Sequence, residues 1–245
     1  MCLIVFAWQV VPGAPLIAAA NRDEYYDRPA AAAGAWPEHP TVYAGRDLKG
    51  GGSWMGITQE GRHGARFAAL TNIRGPQERR EEAPSRGALV ADFLAGELDA
   101  EHYIAKIAHG AGAYNGFNLV LGDRERLFWF SNRGADDERN GKQLAPGIYG
   151  ISNSLLDAPW PKVVRTKAQF ASLLCQGAPE DAYFEMLADT TRAPDLRLPD
   201  TGIALDLERV LSAVCIETAG YGTRTSTVVK LWADAPAELH ERVLQ

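Results

Sequence analysis

Cys2-Leu3-Ile4-Val5-Phe6-Ala7-Trp8 is followed by Val11-Pro12-Gly13-Ala14-Pro15 and then by Leu16-Ile17-Ala18-Ala19-Ala20-Asn21-Arg22-Asp23-Glu24. An apolar β-prone run, a Pro-Gly turn and a second apolar run read as a β-hairpin. Folded about Pro12, opposed residues have numbers that sum to about 24, the pairing a tight hairpin imposes. Cys2 then lies beside Arg22 and Asp23, where the second strand turns polar. Charged groups set against a first-strand core cost stability unless they are paired. Such a conflict between apolar pattern and polar content marks a site.

Only Met1 precedes Cys2. Aminopeptidases remove an initiator methionine when the next side chain is small, which would leave a thiol and a free α-amine on one residue. The amine titrates near about 8 and the thiol near about 8.5, so the amine can act as a built-in base for the nucleophile.

Working outward, the 245 residues are 46% apolar, enough for a sizeable core. Lys+Arg number 25 against 31 Asp+Glu, a net charge of −6, and the cations form no concentrated stripe. That argues against general nucleic-acid binding. The segment from Met1 to Ala20 contains Gln9, Pro12, Gly13 and Pro15 and lacks a basic leader, so neither a signal peptide nor stable membrane insertion is expected. Cys2, Cys175 and Cys215 form no CxxC, which fits a reducing, cytoplasmic location. The five histidines make no HxH or HExxH spacing, so no metal site is expected.

Along the chain, Ala30 to Ala35 is broken by Pro29, Gly34 and Pro37 and reads as extended loop. The triple glycine Gly50-Gly51-Gly52 lacks a phosphate-loop pattern; it reads as a close approach of backbone to backbone or to a ligand. Ser53–Thr58 and Arg66–Asn72 read as strands around a turn over 59–64. Two helices follow, one with Leu89, Val90, Phe93 and Leu94, the second capped by Asp99. Phe117–Leu121 pairs with Leu127–Ser131, and Leu144–Ser152 is extended. Pro161–Leu174 and Asp181–Leu187 are helical, with more helix around Leu207 to Leu211. Cys175 is expected to be buried or half-buried, and Cys215 to sit in a core strand Ala213–Glu217. Thr225–Trp232 is a strand, and Glu238–Leu244 a terminal helix. Strands and helices come in blocks rather than strict alternation, so the fold is α+β with antiparallel sheets, in a single domain over 1–245.

Cys2, Asn21-Arg22-Asp23-Glu24, Gly52-Ser53-Trp54-Met55-Gly56, Phe67-Ala68-Ala69-Leu70-Thr71-Asn72 and Gly220-Tyr221-Gly222-Thr223-Arg224-Thr225 together resemble the NRDE family, also called the transport and Golgi organization 2 family. That family in turn is similar to the N-terminal nucleophile hydrolases of the choloylglycine hydrolase and penicillin V acylase branch. The resemblance implies a four-layer αββα sandwich. It implies Cys2 as nucleophile, Arg22 and Asp23 beside the thiol, Asn153 as oxyanion donor and Arg224 as a late arginine. Asn72 would be a second oxyanion donor, and Asn21 and Trp54 would contact substrate. The implied reaction is hydrolysis of a non-peptide amide of a small-molecule or lipid-like substrate, without a cofactor.

Adjacent strand residues point to opposite faces, so Arg22 and Asp23 cannot both face Cys2 unless the strand has ended or bulged. One of them could instead be a structural ion-pair member. A second function class stays open: a non-catalytic carrier of haem or a lipid-like ligand, with Tyr25, Tyr26, Trp36 and Trp54 as apolar walls.

Overall fold

The computed structural model describes residues 2–59, 64–75 and 80–245. Met1 and the body of the turn over 59–64 lie outside the described residues. Strands β1 (Cys2–Val11) and β2 (Ala14–Tyr25) form the first hairpin. β3 (Ala30–Trp36), β4 (His39–Asp47), β5 (Met55–Thr58) and β6 (Phe67–Asn72) follow. After helices α1 (Gly87–Ala95) and α2 (Ala100–Ala108) come β7 (Phe117–Gly122), β8 (Leu127–Ser131), the short β9 (Lys142–Gln143) and β10 (Gly147–Ile151). Helices α3 (Pro161–Gln176), α4 (Glu180–Leu187) and α5 (Leu205–Leu211) precede β11 (Tyr221–Leu231) and β12 (Glu238–Val243).

Among the described residues these strands make two antiparallel sheets, one in the order β10-β1-β2-β11-β12 and one running β3 to β9 in chain order. The hairpin register matches the expected sum: Cys2 opposes Arg22, Phe6 opposes Ala18 and Trp8 opposes Leu16. Alternation along these strands builds the layers. Ile4, Phe6, Trp8, Leu16, Ala18 and Ala20 point between the sheets, against Ile57, Phe67, Val120 and Trp129. Val5, Ala7, Ile17 and Ala19 point the other way, onto Phe170, Tyr183, Phe184 and Leu187 of α3 and α4. The second sheet turns Ala68, Leu70, Leu119, Leu121, Phe128 and Phe130 toward α1 and α2. The result is helix, sheet, sheet, helix. Because both faces of β1 are covered, its sequence is one continuous apolar run rather than an alternating one.

Four expectations are corrected. Ala30–Trp36 is a strand: pairing with β4 overrides its weak propensity, and two register irregularities absorb the poor fit. Glu238–Val243 is a strand, because Leu239 pairs with Val229 and drops into the core between the sheets. Ala213–Glu217 is not a strand but an irregular segment with one bridge, Glu217 to Gly222. Its polar backbone is satisfied otherwise: Cys215 N–H donates to the Asp189 carbonyl, and Ile216 N–H to Thr223 Oγ1. Cys175 is exposed, since it lies roughly 140° around α3 from buried Phe170.

Candidate functional site

The register that opposes Cys2 to Arg22 puts both side chains on the face between the sheets, at the open end of the sandwich. There they line a cavity of about 400 Å³ together with Trp54, Leu70 and Asn72 from the second sheet. The Arg22 guanidinium stacks 4.2 Å from the centre of the Trp54 ring. Trp54 in turn needs Gly45, where a Cβ would stand 2.3 Å from the ring. Ser152 Oγ donates to the Cys2 carbonyl at 3.0 Å and locks the strand end. The thiol is half-buried. Burial pushes it above the ordinary thiol range, and the Asp23 charge adds to that. The Arg22 charge and the Asp23 N–H, which donates to the sulfur, pull the other way.

Asp23 answers the question of faces. It points to the helix layer, opposite Cys2 and Arg22, where it pairs across the ladder with Thr223. Thr223 Oγ1 donates to Asp23 Oδ1 at 2.7 Å. Burial drives this carboxyl upward, opposed chiefly by the ammonium of Lys162. Lys162 is 1% exposed, and among the described residues its Nζ has no hydrogen-bond acceptor. Burial pulls its pKa down from 10.5 to about 8, with Asp23 the main opposing influence. On β11 a bulge at Arg224 separates Thr223, opposite Asp23, from Thr225, opposite Arg22.

Asn153 and Asn72 meet through one hydrogen bond, Asn153 Nδ2 to the Asn72 carbonyl at 3.0 Å. The Asn153 side-chain oxygen lies 3.3 Å from Ser152 Oγ, the alternative acceptor for that hydroxyl, and accepts from Arg74 at 3.5 Å. Arg74 N–H closes the loop onto the Asn153 carbonyl at 2.8 Å. Behind them Arg74 Nη1 bonds Glu208 Oε2 at 2.7 Å in a buried ion pair, and the guanidinium lies over Trp160. Asn153 is therefore the fixed partner of the Asn72 strand end, one layer behind the cavity wall.

Asn21 and Arg224 stand elsewhere. The Asn21 amide faces the helix layer, donates to the carbonyls of Leu187 and Val214, and accepts from Ser226 Oγ. Arg224 donates to the carbonyls of Tyr25 and Arg28, holding the turn that follows β2. That turn places Arg28 on Asp47, at 2.8 Å, in the cavity wall. Of the four aromatics considered as apolar walls, only Trp54 lines the cavity. Trp36 is buried in the core that the second sheet makes with its helices, and Tyr25 is exposed against Tyr221. The remaining wall is rich in charge, including Arg28, Asp47, Lys49, Arg80 and Arg86.

A separate group, Glu180, Glu238 and His240, brings three possible metal donors together. Glu180 already accepts from Lys230 and His240 there, so the group reads as an ion-pair cluster. Among the described residues no helix is long and apolar enough to cross a membrane.

The family model for "Transport and Golgi organisation 2" matches residues 1–245. The chain is 38% identical to the cattle "Transport and Golgi organization protein 2 homolog" over 263 residues, covering 99% of this chain and 92% of that protein. The human homolog is 36% identical over the same shares, and the Drosophila melanogaster protein 31%, covering 98% of this chain and 90% of its own. The chain belongs to the transport and Golgi organization 2 family.

In this transport and Golgi organization 2 family member, three residues of the site went unread in the sequence: Arg74, Lys162 and Glu208. A signal existed for one of them. Lys162, Thr166 and Phe170 fall at i, i+4 and i+8 on one helix, all fully buried, so the lysine interrupts the apolar stripe. Its burial makes a pH prediction. Below about pH 8 the ammonium is charged in both native and unfolded chains, and its burial penalty is fully present. Between about 8 and 10.5 the unfolded chain still holds a proton that the native protein has released, so stability rises with pH. Relative to Lys162→Met, the native protein should gain about 3 kcal/mol across that window, read from urea denaturation at its two ends. Parallel curves would refute the depressed value.

Proposed function

We propose that this protein is an N-terminal-cysteine hydrolase that cleaves a non-peptide carbon–nitrogen bond once Met1 is removed. The observation that carries the reading is the opposed pair Cys2 and Arg22, both facing one polar cavity at the sandwich end. The α-amine of processed Cys2 takes the thiol proton, and sulfur attacks the acyl carbon. The C–N bond breaks as the leaving amine takes a proton back from the α-ammonium. Water then hydrolyses the thioester. Arg22 supplies a positive field at the developing thiolate, and Asn72, held from behind by Asn153, is an amide-bearing residue of the cavity wall for the oxyanion. Asp23, behind the strand, is the carboxylate available to hold the ammonium. A carrier of an apolar ligand fits less well, because charged groups dominate the wall and Trp54 alone of the four aromatics reaches it.

The test begins with the intact mass of protein from its native host, followed by amine release from a panel of N-acylated amino acids. Cys2→Ala should retain its fold and lose turnover on the order of 10⁴-fold or more. Retention of Met1 in most molecules, or release that survives in Cys2→Ala, would sink the reading.

A further inference from the structure

We propose that Lys162 is a positioning residue of the Cys2 centre: thiol, Asp23 carboxylate and Lys162 ammonium form one electrostatically coupled unit that spans both faces of the sheet. This rests on the reading of Cys2 as nucleophile. The arrangement is unusual for a structural lysine. Lysine side chains are almost never fully buried unless paired, and Lys162 is buried with no acceptor at its Nζ among the described residues. It enters from the first turn of α3, directly after Pro161, so helix geometry holds its Cα against the sheet end.

The groups that act on it come from every element packed there. They are Cys2 on β1, Asp23 on β2, Arg74 after β6 and Glu208 on α5. Tyr221 on β11 faces the same carboxylate and thiol, and burial keeps its phenol protonated. Glu208 is committed to Arg74 and Thr201. Asp23 is thus the carboxylate next to Lys162 whose charge bears on the thiol. A lone buried carboxylate behind Cys2 would oppose thiolate formation. The Lys162 ammonium opposes that field and favours the ionised form of Asp23 against its burial. Loss of the Lys162 proton, which its burial brings to about pH 8, removes that opposition. Coupled groups of this kind titrate in steps that belong to the set.

The coupling is read without any substrate, as the rate of Cys2 alkylation by iodoacetamide from pH 6 to 10. Cys175→Ser serves as background, because Cys175 is exposed. The amine of the first residue titrates in the same range in every variant, so differences between variants carry the result. The native protein should follow a fast branch below about pH 8 and bend toward a slower one above it. Lys162→Met should lie on the slow branch throughout, about tenfold lower at pH 7, the effect of one partly shielded unit charge. Lys162→Arg keeps its charge at all these pH values and should exceed the native rate above about pH 8, lacking the part of the bend that Lys162 contributes. If Lys162→Met and the native protein give superimposable profiles while both melt cooperatively, the proposal is overturned. If Lys162→Met does not fold, a Lys162→Arg profile superimposable on that of the native protein overturns it equally. Absence of amine release with the profiles as expected would remove the hydrolase reading and leave the coupling standing.

Discussion

Glu208→Ala lowers the stability of this protein by about 3–5 kcal/mol, a large share of what a domain of this size has to lose. The argument is about what remains after the carboxylate is gone. Glu208 is 3% exposed, and its two oxygens serve different partners: Oε2 takes Arg74, and Oε1 takes the Thr201 N–H and hydroxyl. Truncation leaves a guanidinium buried beside Trp160 with its main counter-ion removed. Breaking such a pair costs far more than the pair contributes over an apolar replacement. The double variant Arg74→Met/Glu208→Leu should therefore recover most of the loss in stability. It should not recover the Asn153 geometry, because Arg74 also bonds the Asn153 side chain. Urea denaturation of both single variants and the double variant decides this; equal destabilisation by all three would mean the ion pair is not the cause.

Gly52→Ala should cost about 4 kcal/mol, whereas Gly51→Ala, one residue away, should cost about 1. Both glycines have positive φ, +67° at Gly51 and +79° at Gly52. They differ in surroundings. A Cβ at Gly51 meets nothing within 4 Å. At Gly52 it would stand 2.3 Å from the carbonyl carbon and oxygen of Gly87, and 2.7 Å from the Ala88 nitrogen. Those are backbone atoms of the first turn of α1 and cannot rotate away. The seam is also the cavity wall: Ser53 N–H donates to the Gly87 carbonyl, and Asp47 N–H to the Gly52 carbonyl. Thermal melts of the two variants side by side give the comparison, and similar losses would show that the φ angle alone sets the cost.

The triple glycine reads as a close approach of backbone to backbone or to a ligand, and at Gly52 the first of these holds, while Gly51 is open. The hairpin register was legible too: a short Pro-Gly turn leaves two apolar runs few ways to pair, and Cys2 opposite Arg22 follows. The layer order was legible only with the family resemblance beside it. What could not be read was set by contacts distant in sequence. Ala30–Trp36 and Glu238–Val243 are strands because neighbours pair with them, not because their residues prefer it. Arg74, Lys162 and Glu208 lie on three segments with no motif in common, and only the tertiary fold brings them behind one strand end. Which of Arg22 and Asp23 shares a face with Cys2 was an open question of alternation, answered by whether the strand continues through both. It does.

The bulge at Arg224 has a consequence for how β11 can vary. Before it, odd-numbered residues such as Thr223 face the helices; after it, odd-numbered Thr225, Thr227 and Val229 face the opposite sheet. The strand thus changes parity once, at a residue whose side chain leaves both faces to grip the Tyr25–Arg28 turn. Deleting Arg224 would leave both faces of the strand in place and remove only the unpaired extra residue with its grip on that turn. Thr223 would keep Asp23 and Thr225 would keep Arg22, whereas loss of one residue between Thr225 and Val228 would exchange the faces beyond it and send Lys230 into the core between the sheets. Length change in this stretch is therefore tolerated at position 224 and beyond Leu231 but not between them, and the extra residue at 224 serves the turn beside the site rather than the frame of the strand.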